Sequence, residues 1–273
     1  FAGSSGQTLD RLLSRSGITR AECRIENIIQ ERLPSNKIEH FIDITSSKPF
    51  VSMKAQQYIE ELLERLALCS ANVLVPLGNV PLWVLTGTKD ITKRRGSILS
   101  AIRPAIVNRK VIPTIHPAAA IRQYIFQHFI AYDFRRIQAE SAFPEIKLLQ
   151  RNLQLDPTFA DVIHYIEKCR SFPMVGFDIE VFNNEISHVS LSTSAADAIC
   201  IPFFDSGQDN FTPSQEAEVW LALQSLLESP FTIKLGQNIT FDNTFVFTRM
   251  GIAVKPVEDT MVMAGVAFPD FPK

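Results

Sequence analysis

The stretch Val175-Gly176-Phe177-Asp178-Ile179-Glu180-Val181 is an apolar run that carries two acids two residues apart. In a β-strand the side chains of residues i and i+2 lie on the same face, so Asp178 and Glu180 would stand side by side. Two like charges repel each other there unless a cation compensates them, and a pair of metal ions is the usual compensation. The stretch therefore predicts a core strand that carries a metal site.

Strands and helices alternate along the rest of the chain, which is typical of layered α/β folds. Two such series are visible. Residues 138–157 lack a clear period and contain two prolines, so we place the boundary near residue 150 and predict domains 1–150 and 151–273. Predicted strands span residues 24–29, 73–77, 110–115, 174–181, 188–193, 198–203 and 231–235. Helices are predicted at residues 8–16, at residues 59–66, where apolar residues mark one face, and from Ala118 onward, where the helix is long. Two more are predicted, one capped by Asp156-Pro157 and one that begins at Thr212-Pro213 with Gln215 in the capping-box position.

Composition limits the class of protein. The chain has 273 residues with 46% hydrophobic side chains, which is enough for two cores. The net charge is −2, so any nucleic-acid-binding surface must be local. The densest basic segment runs from Lys93 to Lys110; it could follow a phosphate backbone or be a solvated face.

The sequence shows no recognisable targeting signal, so we expect a cytoplasmic protein, or one of the host cytoplasm if the protein is viral. The four cysteines are far apart and form no CxxC pair, which is typical of reduced thiols. No apolar run reaches the roughly 20 residues that span a bilayer, and the first residues lack a signal-peptide pattern. We therefore expect no membrane partner.

The second domain offers a candidate catalytic site. Asp242 follows the predicted strand 231–235 at a helix start, so it can converge with Asp178 and Glu180 at the carboxyl edge of the sheet. Hard carboxylate oxygens select Mg²⁺ or Mn²⁺, and two such ions can hydrolyse a phosphodiester. Asn238 and Phe241 would shape the site. The alternative is that the acids are strand-end residues paired with lysines.

These residues also resemble a known family. Phe177-Asp178-Ile179-Glu180 looks like the first motif of the DEDD 3′–5′ exonucleases, and Asn238-x-x-Phe241-Asp242 is similar to their second motif in the proofreading domains of family A DNA polymerases. The later Gly251-Ile252 and Glu258-Asp259-Thr260-Met261 also resemble that family. The resemblance covers roughly the last 120 residues. It implies an RNase H-like fold and removal of nucleotides from single-stranded DNA 3′ ends by two divalent ions.

The family's third motif, a tyrosine or histidine followed by a last metal-binding aspartate, is not found before Lys273. The end of this domain is therefore expected to lie beyond the sequence. A surviving fold that has lost its activity is an open alternative.

The first domain carries a second resemblance. Its landmarks, in order, look like those of the uracil-DNA glycosylase superfamily, especially family 4, whose fold is a three-layer α/β/α sandwich. They are Phe1-Ala2-Gly3-Ser4-Ser5-Gly6, Glu26-Asn27-Ile28-Ile29, Pro34-Ser35-Asn36, Val75-Pro76-Leu77-Gly78, Arg95-Gly96 and Thr114-Ile115-His116-Pro117-Ala118-Ala119. The resemblance implies that Phe1 stacks on a flipped base, Asn27 bonds its pyrimidine edge, and His116 stabilises negative charge on it.

The first domain departs from family 4 at two places. Cysteines that hold an iron–sulfur cluster there should fall near Glu31 and Gln57, so we expect no cluster. The Gly-rich segment with the water-activating acid would precede Phe1. Alternatively, Phe1 is an exposed end, Asn27 ends a strand and His116 is a hydrogen-bonded loop histidine.

The two domains in this order resemble the amino-terminal half of bacteriophage family A DNA polymerases. This implies a polymerase domain after Lys273, proofreading by the second domain, and a first domain that holds template or senses uracil. The competing class is a non-catalytic module in which degenerate glycosylase and nuclease folds bind single-stranded DNA.

Overall fold

The computed structural model describes residues 3–33, 37–205 and 207–269. The chain divides into two compact units, one up to Leu148 and one from Leu149 onward. Each unit combines helices with strands, so the predicted α/β class is confirmed. Among the described residues, no helix has the length and apolar character needed to cross a membrane.

The first unit is built from short strands and longer helices. Its helices are α1 (Ser4–Arg15), α2 (Met53–Ala67), α3 (Asn79–Thr86), α4 (Ile91–Arg94), α5 (Pro117–Arg122) and α6 (Ile125–Glu140). Its strands are β1 (Ile42–Asp43), β2 (Phe50–Val51), β3 (Leu99–Ser100) and β4 (Lys110–Val111), with 3-10 turns at Arg20–Glu22, Ile38–His40 and Pro104–Ile106. β1 pairs with β2, and β3 with β4, both antiparallel.

The predicted strands 73–77 and 110–115 lie side by side as an interrupted parallel ladder. The backbone nitrogen of Leu74 donates to Lys110 and that of Gly78 donates to Thr114, both at 2.9 Å. Pro76 lies between them and has no N–H, so one ladder bond is missing and the pairing is reduced to isolated bridges. The sequence pattern thus located these strands but not the gap.

Residues of this ladder alternate between two cores. Leu74 and Val111 pack with α2, whereas Ile112 packs with α1 and α6. Because side chains of a strand point alternately to opposite faces, helices cover both faces of the ladder. This is the three-layer α/β/α arrangement that the resemblance implies.

Two predictions for this unit were wrong. Residues 24–29 form a loop rather than a strand. The side chains of Ile28 and Ile29 in this loop are buried, and Glu26 forms ion pairs with Arg24 and Arg65. The long helix from Ala118 is broken, because α5 ends at Arg122 and the next residue, Gln123, is extended before α6 begins.

The second unit contains a larger sheet. Its elements are β5 (Asn152–Gln154), α7 (Phe159–Cys169), β6 (Met174–Phe182), β7 (Glu185–Ser194), β8 (Asp197–Pro202), β9 (Phe204–Asp205), β10 (Gln208–Asp209), α8 (Pro213–Leu227), β11 (Ile233–Gly236), α9 (Ile239–Met250), β12 (Val257–Asp259) and α10 (Thr260–Ala267).

The main sheet has the strand order β12-β11-β6-β7-β8-β5. β7 runs antiparallel to both neighbours, and the other described pairs are parallel. Three consecutive antiparallel strands followed by parallel crossovers give the RNase H-like fold, so this prediction is confirmed. Val175, Phe177 and Ile179 of β6 are buried in one core with residues of α7 and α8.

Helix starts in this unit follow capping chemistry. Thr212 and Gln215 form the predicted capping box of α8. At α7 the cap is Thr158 with Asp161 rather than the predicted Asp156, since the Thr158 hydroxyl accepts from the backbone nitrogen of Asp161 at 3.3 Å. The edge strand β5 was missed because three residues are too short to show a period of two.

Candidate active site

Strand β6 presents two acids on one face. Val175, Phe177 and Ile179 point into the core, so Asp178 and Glu180 are exposed on the opposite face. Their partners across the antiparallel pair with β7 are Ser190 and His188. The predicted side-by-side placement of Asp178 and Glu180 therefore follows from the alternation of the strand.

Asp242 joins this face from another element. It lies in the first turn of α9, as predicted, and is 5% exposed. Its Oδ1 atom accepts a hydrogen bond from the backbone nitrogen of Ile179 at 3.0 Å, midway between Asp178 and Glu180 in sequence. A tertiary bond thus ties the second predicted motif to the first.

The neighbouring acids lie close enough to Asp178 and Asp242 to affect the ionisation of these two residues. Desolvation raises the pKa of Asp178, and the charges of Asp242 and Glu180 raise it further. Burial also raises the pKa of Asp242; the Ile179 N–H lowers it, and the charges of Glu180 and Asp259 raise it. Like charges gathered in this way disfavour ionisation unless a cation is bound.

No basic side chain compensates this cluster in the described part of the chain. Asp178, Glu180 and Asp242 form no ion pair there with lysine, arginine or histidine. The alternative that these acids are paired with lysines is therefore wrong for the described residues.

Asp178, Glu180 and Asp242 are not arranged as a metal-coordination shell. Within residues 3–33, 37–205 and 207–269, no group of three or more His, Cys, Asp or Glu side chains is arranged to hold a metal ion. The donor chemistry, hard carboxylate oxygens with an excess of negative charge, suits Mg²⁺ or Mn²⁺.

A cavity of about 750 Å³ lies against the exposed face of α9. Asn238 and Phe241, the two residues predicted to shape the site beside the acids, both line it, together with Phe245, Arg249 and Asn184 of the β6–β7 turn. Phe241 is 51% exposed and its ring lies 5.9 Å from that of Phe245. The structure thus brings the two predicted residues into one cavity.

Asp259 is a site residue to which the sequence assigned no role. Its carboxylate accepts from the backbone nitrogens of Asn238 at 3.0 Å, Ile239 at 3.1 Å and Met261 at 2.8 Å. Desolvation opposes ionisation, but these donors outweigh it and hold the pKa of Asp259 below its usual value. An aspartate directly before an apolar helix signals the cap of α10, but nothing local signals the cap of α9.

In the first unit, His116 is the N-cap of α5. Its Nδ1 atom accepts from the backbone nitrogen of Ala118 at 3.1 Å, so in the neutral imidazole the hydrogen is on Nε2. Burial lowers the pKa of His116, and the charge of Arg122 lowers it further. His116 is therefore a neutral donor near pH 7.

The other predicted base-binding residues are less defined. Asn27 is exposed in a loop, where its carbonyl oxygen accepts from the Gln30 side chain at 2.7 Å. It ends no strand, so that alternative for Asn27 is wrong. Phe1 lies outside the described residues. At one position expected to hold a cluster cysteine, Glu31 pairs with Lys54.

The basic segment 93–110 is mostly engaged within the protein. Four of its cations make intramolecular bonds: Arg95, Arg103, Arg109 and Lys110. Arg95 forms a two-pronged pair with Asp133, and Lys110, which is 1% exposed, pairs with Glu140. Lys93 and Arg94 are exposed and make no side-chain bond among the described residues, so only these two cations of the segment are left for the phosphate-binding track or the solvated face considered from the sequence.

Residues 1–132 match the model of the uracil DNA glycosylase superfamily. This match confirms the resemblance of the first unit to that superfamily. A type-4 uracil-DNA glycosylase from Thermotoga maritima is 31% identical over 124 residues, which is 45% of this chain and 57% of the relative. The chain thus spans little more than half of that protein's length.

Several solved nucleases are also similar to this chain. Escherichia coli RNase D, an exoribonuclease, is 21% identical with a TM-score of 0.34, covering 44% of this chain and 30% of its own. The EXD2 exonuclease domain soaked in Mn and GMP is 16% identical with a TM-score of 0.33, covering 44% and 61%. Trypanosoma brucei RNase D in complex with RNA is 18% identical with a TM-score of 0.33, covering 41% and 38%.

Proposed function

We propose that the second unit is a metal-dependent 3′–5′ exonuclease that shortens single-stranded DNA. The observation that carries this proposal is the cluster of Asp178, Glu180 and Asp242. Burial, together with the negative charges of Asp242 and Glu180, raises the pKa of Asp178, and in the described residues no basic side chain pairs with any of the three. A protein keeps such a cluster ionised at neutral pH by binding cations.

Asp178, Glu180 and Asp242 would hold two Mg²⁺ or Mn²⁺ ions through their carboxylate oxygens. Such ions, when bound, supply a water nucleophile near neutral pH and stabilise the leaving oxygen of a phosphodiester. The protein's own contribution is placement: the N–H of Ile179 orients the carboxylate of Asp242 toward β6. Asp178 and Glu180 are fixed by the ladder between β6 and β7.

Asn238 and Phe241 would receive the terminal nucleotide. The exposed ring of Phe241 offers a face on which a base can stack, and the amide of Asn238 offers both donor and acceptor. Both residues line the cavity along α9, and Phe241 directly precedes Asp242. Nucleotide binding there would bring a 3′ end close to the acids.

The first unit would recognise a base. In the proposed site His116 donates from Nε2 to a uracil oxygen, Asn27 reads the pyrimidine edge and Phe1 stacks on the ring. The similarity to a type-4 uracil-DNA glycosylase supports a base-reading function. A proofreading unit follows this domain along the chain. In a bacteriophage-type family A DNA polymerase, the first domain would hold the template or sense uracil.

A second candidate is a non-catalytic module that binds single-stranded DNA with both units. The observation that favours it is that, in the described residues, no three acidic, histidine or cysteine side chains are arranged around a common ion position. Binding through the cavity along α9 would then persist without cleavage.

Digestion of a 5′-labelled single-stranded oligonucleotide separates the two candidates. We expect stepwise shortening from the 3′ end with Mg²⁺ or Mn²⁺ and none with EDTA. Asp178→Asn should abolish the shortening and leave DNA affinity unchanged or higher, because one acid of the cluster is removed. Asp209→Asn is the matched control, since Asp209 is an exposed acid of the same unit on β10.

An Asp178→Asn protein that still digests the strand would contradict the assignment of the acids. A wild-type protein that binds the strand but leaves it intact in every metal would favour the non-catalytic module.

A further inference from the structure

The outer face of α5 and α6 exposes two tyrosines in line. Tyr124, the N-cap of α6, is 66% exposed, and Tyr132 within the helix is 60% exposed. His128 lies between them and meets the Tyr124 ring edge-on, with the ring centroids 5.5 Å apart. Positions 124, 128 and 132 are four residues apart, so all three rings lie along one side of the helix.

The charged side chains of this face that have no ion-pair partner among the described residues are all positive. Between residues 117 and 140 the charged side chains are Arg122, Asp133, Arg135, Arg136 and Glu140, and Glu140 pairs with Lys110. Asp133 is 1% exposed and is occupied by Arg95 and by the hydroxyl of Thr114 at 2.6 Å. The three arginines are exposed.

These arginines differ from Arg95, Arg103 and Arg109 of the basic segment 93–110. In the part of the chain that the structure describes, Arg122, Arg135 and Arg136 form no ion pair and no side-chain hydrogen bond. Arg95 and Arg109, by contrast, are held by Asp133 and by backbone oxygens. Positive charge that is free to bind an anion is therefore found on this face in a chain whose net charge is −2.

We propose that the outer face of α5 and α6 binds a single-stranded nucleic acid. Tyr124 and Tyr132 would stack on unpaired bases, and Arg122, Arg135 and Arg136 would contact phosphates. Exposed aromatic rings beside a basic track are the usual means of holding single strands, whereas a duplex hides the faces of its bases. Tyrosine and arginine also occur in protein interfaces, but a face whose unpaired charges are all positive favours a polyanion.

The position of this face supports the proposal. From Tyr124 to Arg135 the helix rises about 16 Å, which offers a track rather than a point contact. Its first cation, Arg122, is near enough to His116 for its charge to act on the imidazole. A strand on this face would therefore pass close to the proposed base-recognition residue. The proposal does not rest on the nuclease, whose acids belong to the other unit.

Fluorescence anisotropy of a labelled oligothymidylate of about 12 nucleotides, in EDTA, tests this surface. The double variant Tyr124→Ala with Tyr132→Ala should bind about tenfold more weakly or worse, because stacking on both rings is lost. The double variant Tyr124→Phe with Tyr132→Phe should retain wild-type affinity, since the ring faces remain. Replacing all three arginines by glutamine should make the slope of log affinity against log salt concentration less steep by about two.

The matched control is Phe50→Ala with Lys48→Gln, which removes an exposed ring and an exposed cation elsewhere in the first unit. It should bind like wild type. Circular dichroism checks that each variant is folded. Folded alanine and glutamine variants with wild-type affinity and salt dependence would overturn the proposal and leave the face to a protein partner. Exonuclease activity in the same variants reports separately on the second unit.

Discussion

The Oδ1 atom of Asp259 accepts a hydrogen bond from the backbone nitrogen of Asn238 at 3.0 Å. The other oxygen accepts from Ile239 at 3.1 Å, and Met261 donates to Oδ1 at 2.8 Å. One carboxylate therefore caps the starts of both α9 and α10. Asn238 itself has a left-handed conformation with φ of 56°, so the helix that carries Asp242 begins at a turn that Asp259 holds.

Asp259→Ala should slow metal-dependent strand shortening by about tenfold or more, because the start of α9 loses its anchor and the carboxylate of Asp242 is misplaced. Asp259→Asn should recover part of the rate, since its amide oxygen can still accept from the backbone. Single-turnover digestion at saturating and limiting metal measures the effect. The neighbouring acid Glu258 is exposed and caps neither helix, so Glu258→Ala is the control. Equal rates in the Asp259 and Glu258 variants would refute the positioning role.

Asp178→Asn should raise the midpoint temperature of thermal unfolding in EDTA near neutral pH. Folding raises the pKa of Asp178 from 3.8 through desolvation and the charges of Asp242 and Glu180. A carboxyl whose pKa is higher in the folded state costs stability above that pKa, and the cost disappears as the pH falls toward its unfolded value. The advantage of the variant should therefore shrink as the pH approaches about 4.

Melting curves followed by circular dichroism at several pH values measure this effect. Mg²⁺ should raise the midpoint of wild type more than that of Asp178→Asn, because the ion compensates the cluster. A variant that melts below wild type in EDTA at neutral pH would show that the acids are stabilised by something other than a cation.

The strands of the second unit were predictable because one face is buried and the other is not. The alternation of Val175, Phe177 and Ile179 with Asp178 and Glu180 determines both the strand and the face on which the acids lie. The convergence of Asp242 with these acids followed from the general rule that parallel strands end at one edge. Its hydrogen bond to Ile179 is a detail of tertiary packing that no local pattern contains.

The predictions that were wrong or incomplete depend on contacts between residues that are distant in sequence. Residues 24–29 have the composition of a strand, but a strand also needs a partner with free backbone groups, and partner choice is a long-range property. The basic segment looked free because its counter-charges, Asp133 and Glu140, are distant in sequence and lie on α6. The second cap made by Asp259 spans about 20 residues for the same reason.

A preference for uracil over thymine in single strands should be lost in His116→Ala. The preference should be the same at about pH 7 and about pH 8, because burial and the charge of Arg122 keep the pKa of His116 below its ordinary value of 6.5. The imidazole is then neutral throughout this range and donates from Nε2. Competition anisotropy with matched uracil and thymine strands measures the preference, with the exposed His164→Ala as the control. A preference that survives in His116→Ala would argue against base recognition by this residue.

Lys234→Met should destabilise the second unit by about 2–4 kcal/mol, although its side chain touches no proposed substrate. The Nζ atom is fully buried and donates to the backbone oxygens of Ser229 at 2.9 Å, Thr232 at 2.7 Å and Lys255 at 2.6 Å. Burial lowers the pKa of Lys234 to about 8, so the group is still mostly charged at neutral pH and supplies all three donors. Methionine fills the space but leaves the three carbonyl groups without a donor, which costs more than the relief from burying a charge.

Urea unfolding followed by Trp220 fluorescence, in a Trp83→Phe background, isolates the transition of the second unit. Lys255→Met removes an exposed lysine on the adjoining loop and should change stability by no more than about 0.5 kcal/mol. If both methionine variants unfold at the same urea concentration, the carbonyl groups around Lys234 must find other donors, and the lysine does not hold the end of α8 to the loop before β12.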